Sequence, residues 1–382
     1  MLTSTDNKFL SLTLELARKG LGTTSPNPMV GAVLVKAGRI VATGFHQRCG
    51  GPHAEVVALR KAGTRATGAT LYVSLEPCDH TGRTPPCTQS IIQAGVKRVV
   101  VGMKDPNPLA DGRGIRRLRN ARICVELNKK TDEFSALNRI FCRYITLKLP
   151  YVVVKTGQSL DGKLATRTGA SQWITGPQAR QQAQQLRFQA DAIVVGVNTI
   201  LHDDPLLSCR WRGRVRRDKP VKVILDEKLR TPLSARIFSR ESPAAVIIAT
   251  TERAGRGRIK KFERSGVRVL VMPSQSNDRV DIRELMKELA RRELANVLVE
   301  GGGEVIGACF DEQLVNEIYC FVAPKIIGGR DAVPVVGGTG IKTLSAAPRV
   351  TDMAITHYGD DILMRGRIEY PDTVTPIEKA RA

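Results

Sequence analysis

Apolar positions in the N-terminal part of the chain alternate between a period near 3.6 and a period near 2, the signatures of amphipathic helix and half-buried strand. Phe9, Leu10, Leu12, Leu14 and Leu16 predict a helix over 6–18 that stops at Gly20 and Gly22. VGAVLVK (30–36) and RIVATGFH (39–46), joined by Ala37-Gly38, predict a β-hairpin. A helix over 53–62, a strand over 70–75, a helix over 86–94, a strand over 97–101 and a helix over 131–147 follow. Strands alternating with helices indicate a layered α/β sheet. Leu149-Pro150 breaks the pattern and a fresh strand starts at Tyr151, so the expected domains are 1–147 and 148–370, with 371–382 a frayed tail. The second domain repeats the rhythm with VVVK (152–155), AIVVG (192–196), VKVILD (221–226), AAVIIAT (244–250) and NVLVE (296–300). Such short, unbroken apolar runs suit strands covered on both faces. Helices are predicted over 177–189 and 281–294, and no repeat relates the halves.

Composition narrows the classes. The 382 residues fit two domains. Hydrophobic residues at 42%, charged residues at 25% and a mean hydropathy of -0.15 exclude a disordered or fibrous chain. The longest apolar runs fall well short of the roughly 18 to 20 residues that span a bilayer. Residues 1–20 place Asp6, Lys8 and Glu15 among their apolar residues, unlike a signal peptide, so a cytoplasmic location is expected. Lys and Arg outnumber Asp and Glu, 59 to 37, for a net charge of +22. That surplus attracts anions, whether nucleic acid, acidic membrane or small phosphorylated molecules. Aromatic residues are only 4%, and no basic stretch is interleaved with aromatics as base stacking requires. The densest basic run, RWRGRVRRDK (210–219), reads as a solvated loop. The eight cysteines lack the density of a disulfide scaffold. Cys124, Cys142, Cys309 and Cys320 stand in apolar periodic stretches and are expected to be inert packing thiols.

The chemistry concentrates at His53-Ala54-Glu55, which opens a predicted helix, and at Pro77-Cys78 and Cys87 beyond the next strand. One imidazole and two thiolates supply three ligands of a tetrahedral zinc and leave the fourth position for water, the arrangement of a catalytic site. Zinc lowers the pKa of such a water toward neutrality. Glu55 need not bind metal and can carry the proton to a substrate nitrogen, as the non-ligand Glu does in zinc-dependent base deaminases. Eight residues, DHTGRTPP, separate Cys78 from Cys87 where the usual deaminase signature has two.

With that longer loop, PCDHTGRTPPC (77–87) resembles the deaminase half of the bifunctional riboflavin-biosynthesis deaminase/reductase family. TSPNP (24–28) with Val30-Gly31, GFHQRCGGPHAE (44–55) and DPNP (105–108) are similar to other segments of that family. The resemblance implies a cytidine-deaminase-like α/β/α domain in which Asn27, His46, Arg83, Thr84, Asp105 and Asn107 hold the pyrimidine and its ribose phosphate. Amide and carboxylate groups match base edges and Arg matches phosphate. Two residues depart from the family: Cys49 stands where a small residue is usual, and is read as packing, and Arg122 stands at a turn glycine.

In the second domain no G-x-G-x-x-G follows a strand; Gly112-Arg113-Gly114, earlier in the chain, lacks the third glycine. VLVEGGGEVIG (297–307) instead runs from a strand into a predicted helix, whose start can accept a phosphate where glycines allow close approach. Together with VKTGQSLDGK (154–163), SQWITG (171–176) and LRFQADAIVVGVNTILHDDPLLSCR (186–210), it resembles the reductase domain of the same family. The resemblance implies a dihydrofolate-reductase-like α/β domain using NADPH. Gly157, Trp173, Thr199, Asp203, Gly302, Gly303 and Gly307 would contact the cofactor. Ser171, Arg187, Leu206, Arg210 and Glu300 would contact the substrate, with Arg187 and Arg210 suited to bidentate phosphate binding. Lys155 with Glu300 would assist opening of the sugar to an imine and its protonation. Gly157 stands where Ala is common, and Glu227 of Asp226-Glu227 would place an unfavourable charge near a 2′-phosphate.

The expected protein is therefore a bifunctional enzyme with Zn2+ and NADPH as cofactors. It would deaminate 2,5-diamino-6-(5-phosphoribosylamino)pyrimidin-4-one and then reduce the ribosyl to a ribityl side chain. Its partners would be that phosphorylated pyrimidine and further copies of itself, as a homo-oligomer, with no nucleic acid and no membrane. The competing reading, a deaminase acting on nucleic-acid bases, draws on the +22 charge and the His-Ala-Glu and Pro-Cys pair; the second α/β domain counts against it.

Overall fold

The structure, a computed structural model, describes residues 2–81, 85–211, 213–215, 220–241, 244–274 and 278–371. The chain divides into two compact units, Met1–Leu149 and Pro150–Ala382.

The first unit runs α1 (Ser4–Arg18), β1 (Gly31–Lys36), β2 (Arg39–Phe45), α2 (Ala54–Ala62), β3 (Thr70–Leu75), α3 (Cys87–Gln93), β4 (Arg98–Met103), α4 (Arg113–Asn120), β5 (Cys124–Leu127), α5 (Asp132–Leu137) and α6 (Arg139–Leu147). Its sheet has the order β2-β1-β3-β4-β5. The hairpin β1-β2 and the pair β1-β3 are antiparallel, and β3, β4 and β5 are parallel. Ala37 and Gly38, with φ of 50° and 73°, make the hairpin turn. Two positive φ values are what the twist of a two-residue loop demands. Gly31 lies opposite Phe45 and Ala32 opposite Gly44, so Gly31 and Gly44 face opposite sides of the sheet. A Cβ on Gly31 would meet the Thr13 carbonyl oxygen of α1 at 2.0 Å, and one on Gly44 the Ala54 carbonyl oxygen of α2 at 2.3 Å. The two glycines thus let a helix press on each face, which makes the unit three-layered. Val33, Leu34, Leu71, Val73, Val99 and Val101 fill the layers between.

Two features of this unit escape the periodicity. In α4, RGIRRLRN, only Ile115 and Leu118 are large apolar residues, too few to show a face, and both are buried. The helix expected over 131–147 is broken at Asn138, whose side chain accepts from the Met29 backbone N–H (2.8 Å) and donates to the Met29 carbonyl (3.1 Å). Arg122 adopts φ 62°, so the turn keeps its left-handed geometry with Arg in place of Gly. Cys124 is exposed at the start of the edge strand β5 and is not the core thiol its apolar neighbours suggest.

The second unit comprises β6 (Tyr151–Ser159), β7 (Lys163–Ala165), α7 (Pro177–Gln189), β8 (Ala192–Gly196), α8 (Val197–Asp203), β9 (Arg210–Trp211), β10 (Arg214–Val215), β11 (Val221–Leu225), β12 (Val246–Thr250), α9 (Arg256–Arg264), β13 (Arg268–Val271), α10 (Ile282–Arg291), β14 (Asn296–Val299), α11 (Gly303–Asp311), β15 (Val315–Ala323), β16 (Val333–Pro334), β17 (Arg349–Tyr358) and β18 (Asp361–Glu369). Nine strands form one sheet in the order β13-β12-β11-β8-β14-β6-β15-β18-β17. It is parallel from β13 to β15, and β18 and β17 add antiparallel. The apolar runs of β6, β8, β11, β12 and β14 lie in the parallel part, where both faces are covered. The strand β17 carries no such run; its solvated residues hide it from a burial pattern. The expected tail, 371–382, lies outside the described residues apart from Pro371.

Candidate functional sites

In the first unit, β3 and β4 run parallel, and the segment leaving the C-terminal end of β3 brings Cys78 to the start of α2. His53 occupies the N-cap of α2, and Cys87 is the first residue of α3. The His53 Nδ1 lies 3.2 Å from the Cys87 Sγ and 3.6 Å from the Cys78 Sγ. The three ligand atoms fall within 4.8 Å of one another, and they form the candidate metal group among the described residues. The Cys87 backbone N–H points at the Cys78 Sγ (3.5 Å), a contact that favours thiolate. The Cys78 thiol is held below its ordinary range, chiefly by hydrogen bonding from Cys87, while that same contact pushes Cys87 up. The His53 imidazole is raised by its contact with Cys78. Two residues on, Glu55 is buried, with Oε2 lacking a hydrogen-bond partner. Burial pushes its carboxyl up. A soft N/S ligand set beside a buried carboxylate with an unused acceptor fits a zinc ion and one more small polar group.

Of the residues implied by the resemblance, His46 packs against His53, Asn27 bonds to His46, and Asp105 and Asn107 bond to one another. The His46 ring packs edge-on against His53, centroids 5.3 Å apart. Its Nδ1 lies 3.1 Å from the Pro52 carbonyl oxygen, which can only accept, so Nδ1 carries the proton. Its Nε2 therefore accepts from the Asn27 side-chain amide at 3.3 Å. Burial lowers the His46 pKa. The Asp105 carboxylate accepts from the Asn107 backbone N–H (2.9 Å), and Asn107 in turn from Leu109 (3.1 Å). Burial pushes the Asp105 carboxyl up to about 6. Arg83 and Thr84 lie outside the described residues. Cys49 is not one of the three clustered ligands. Sequence reasoning missed Glu76 and Gly114. Glu76 bonds two backbone amides of the 105–115 segment, and a Cβ on Gly114 would come within 1.9 Å of the Pro77 carbonyl oxygen. The glycine read as an incomplete nucleotide motif thus packs α4 onto the ligand-bearing segment.

In the second unit Lys155 and Glu300 sit side by side. They follow Val154 and Val299, which are paired across β6 and β14. Arg187, from the last turn of α7, grips Glu300 with Nε at 3.0 and 3.1 Å and Nη2 at 2.6 Å, and its Nη1 donates to the Ser208 carbonyl at 3.2 Å. The fork expected to receive a phosphate is thus engaged by a carboxylate. Burial alone would raise the Glu300 carboxyl, but Arg187 and then Lys155 hold it lowered. Burial lowers the Lys155 ammonium pKa. The Ser171 hydroxyl donates to Asp203 at 2.7 Å, joining a residue expected at the substrate to one expected at the cofactor. Thr199 lies on α8 with Asp203, and Leu206 and Arg210 follow that helix; Arg210 is exposed and its backbone N–H donates to the Gln184 side chain (2.9 Å). Trp173 is 63% exposed, with the Arg180 guanidinium 4.4 Å from its ring centroid, so it is not a core residue.

The glycines divide by cause. Nothing lies within 4 Å of a Cβ built on Gly302, the N-cap of α11, so no contact of the chain demands glycine there. Gly303 and Gly307 instead face the chain itself: a Cβ would meet the Pro334 carbonyl oxygen at 2.4 Å and the Gly337 carbonyl carbon at 2.3 Å. Gly157 has room for a methyl group, the nearest atom being the Thr175 Cγ2 at 3.5 Å, so Ala would fit here. The Asp226 carboxylate is consumed by the backbone N–H groups of Arg230 (2.8 Å) and Thr231 (2.7 Å) and the Thr231 hydroxyl.

A zinc-type deaminase unit followed by a parallel-sheet reductase unit is the class these two sites define, and comparison with known proteins agrees. Residues 3–103 match the cytidine and deoxycytidylate deaminase zinc-binding region, and residues 150–364 match the RibD C-terminal domain. The riboflavin biosynthesis protein RibD of Aquifex aeolicus is 42% identical over 95% of this chain and 99% of its own length. That of Escherichia coli is 40% identical over 94% and 98%. Two solved structures superpose over 96% of this chain and 99% of theirs. Acinetobacter baumannii RibD has a TM-score of 0.85 at 34% identity, and the Thermotoga maritima diaminohydroxyphosphoribosylaminopyrimidine deaminase/5-amino-6-(5-phosphoribosylamino)uracil reductase has 0.81 at 36%. The chain belongs to the RibD family of bifunctional riboflavin-biosynthesis enzymes. It is a zinc-dependent deaminase and an NADPH-dependent reductase. No helix among the described residues is long and apolar enough to cross a membrane.

Proposed function

We propose that residues 1–147 deaminate 2,5-diamino-6-(5-phosphoribosylamino)pyrimidin-4-one and that residues 148–370 reduce the ribosyl group of the product to ribityl. The observation that carries the first half is the convergence of His53, Cys78 and Cys87 beside the buried, unpartnered Oε2 of Glu55. His53, Cys78 and Cys87 would hold the zinc, which supplies Lewis acidity that brings water toward ionisation at neutral pH. Glu55 takes a proton and delivers it to the departing amine; its raised pKa keeps it able to do both. Asn27, with its amide nitrogen committed to His46, turns its carbonyl oxygen to a ring donor. Asp105 and Asn107 bind the rest of the pyrimidine and ribose, and Arg83 and Thr84 the phosphate.

In the second half, NADPH supplies hydride, and Gly157, Trp173, Thr199, Asp203 and the backbone of Gly302, Gly303 and Gly307 bind it. Ser171, Arg187, Leu206, Arg210 and Glu300 bind the substrate. Lys155, whose burial favours its neutral form, and Glu300, which holds negative charge beside it, move the proton that opens the sugar. The same proposal places the enzyme in the cytoplasm, acting on a phosphorylated pyrimidine and not on nucleic acid. It also includes a homo-oligomer: β17 is the outer strand of its sheet and exposes Met353 and Ile355 at 60% and 59%.

Anaerobic incubation of the zinc-loaded protein with the diaminopyrimidinone ribose phosphate tests both halves. Ammonia should appear first, and NADPH absorbance should fall only after deamination. Glu55→Gln should keep its zinc and lose about 10²- to 10⁴-fold in ammonia release. Ammonia release by Glu55→Gln at the wild-type rate would remove Glu55 from the mechanism.

A further inference from the structure

We infer that Glu76 is a positioning residue for deamination, holding the Asp105–Asn107 turn and the start of α4 in place against the segment that bears Cys78. The inference deepens the deaminase reading and rests on it. Glu76 follows β3 directly and precedes Cys78 by two residues, and its side chain is 4% exposed. Its backbone N–H donates to the Met103 carbonyl at the end of β4 (3.0 Å). Its two carboxylate oxygens are then divided between two further points of the same excursion. Oε2 accepts from the Asp105 backbone N–H (3.2 Å), and Oε1 from the Ile115 backbone N–H (3.1 Å) in the first turn of α4. Gly114, between them, lies against the Pro77 carbonyl, where any Cβ would collide. One side chain therefore satisfies a loop amide and an orphan helix-start amide that have no intrahelical partner. It ties them to the residue before Pro77-Cys78.

The geometry needs an acceptor at both oxygens. A carboxylate provides this, and an isosteric amide does not. In Glu76→Gln one of the two backbone donors must face the new NH2 group, so a buried bond becomes a donor facing a donor. The turn that carries Asp105 and Asn107 or the first turn of α4 then shifts, while His53, Cys78 and Cys87 keep their own contacts.

The test is Glu76→Gln in the full-length, zinc-loaded protein. Deamination kcat/KM should fall about 10- to 100-fold, with most of the loss in KM. Zinc content should match the wild type, and NADPH oxidation with the deaminated intermediate should be unchanged. Amide exchange should show slow Asp105 and Ile115 N–H groups in the wild type, and one of the two should become fast in the variant. An unchanged KM overturns the inference, as does a loss confined to zinc content. Should the variant not fold, rapid exchange of both amides in the wild type would overturn it on its own. Absence of ammonia release from the wild type is a different result, since it removes the deaminase reading itself.

Discussion

Replacing Glu300 by Gln removes one charge from the buried group in the second unit without changing its shape. In the structure Glu300 and Arg187 side chains are 3% and 17% exposed, and three contacts of 2.6 to 3.1 Å join them. Lys155 stands on the neighbouring strand with its ammonium partly supported by the same carboxylate. Removing one partner of such a pair leaves buried positive charge uncompensated, which typically costs 3–5 kcal/mol. The Gln oxygen still accepts one Arg187 bond, so a loss of about 3 kcal/mol is expected, on the order of a hundredfold in the folding equilibrium. The loss should also depend on pH with a defined sign. Burial places the folded pKa of Lys155 below its unfolded value, so between the two the unfolded chain binds more protons and stability rises with pH. Without Glu300 the folded value drops further and that window widens downward. The variant should therefore be penalised more at low pH than toward the ordinary lysine value of 10.5. The chain has two tryptophans, Trp173 and Trp211, and both lie in the second unit. Denaturant unfolding followed by their fluorescence thus reports on this unit. A loss below about 1 kcal/mol, or one no smaller at high pH than at low, would refute the argument that Glu300 compensates the buried Arg187 guanidinium and holds up the Lys155 pKa.

Three further outcomes are expected. Cys87→Ser removes one of three ligand atoms clustered within 4.8 Å, so zinc affinity should fall by more than about a hundredfold and ammonia release should vanish. Reduction of the deaminated intermediate should persist; metal analysis and NADPH absorbance check the two statements. Gly44→Ala places a methyl 2.3 Å from the Ala54 carbonyl oxygen and 2.7 Å from the Ala58 nitrogen, forcing α2 off the sheet. It should cost about 2 kcal/mol in thermal unfolding and lower deamination, because His53 and Glu55 open that helix.

Much of the architecture was legible because local physics writes it into short windows. The hairpin at Ala37-Gly38, the strand Thr70–Leu75 and the helix Pro177–Gln189 follow from turn chemistry and from periods of 2 and 3.6. Where the window carried no contrast the reading failed. α4 shows arginines on nearly every exposed position and two apolar residues, and β17 is solvated along most of its length. Asn138 breaks a helix for a partner 109 residues away, which no local pattern can announce.

The candidate site divides in the same way. Ligand chemistry resides in residue type, so His53, Cys78, Cys87 and Glu55 could be picked out as a zinc group from the sequence alone. Tertiary structure decided who shares a partner with whom. It committed Arg187 to Glu300 across 113 residues and divided the Glu76 carboxylate between amides 29 and 39 residues on. It also assigned the need for glycine at 303 and 307 to the crossing chain at Pro334 and Gly337. A buried polar group must find its partner wherever the fold brings one, and only the folded chain determines which it is.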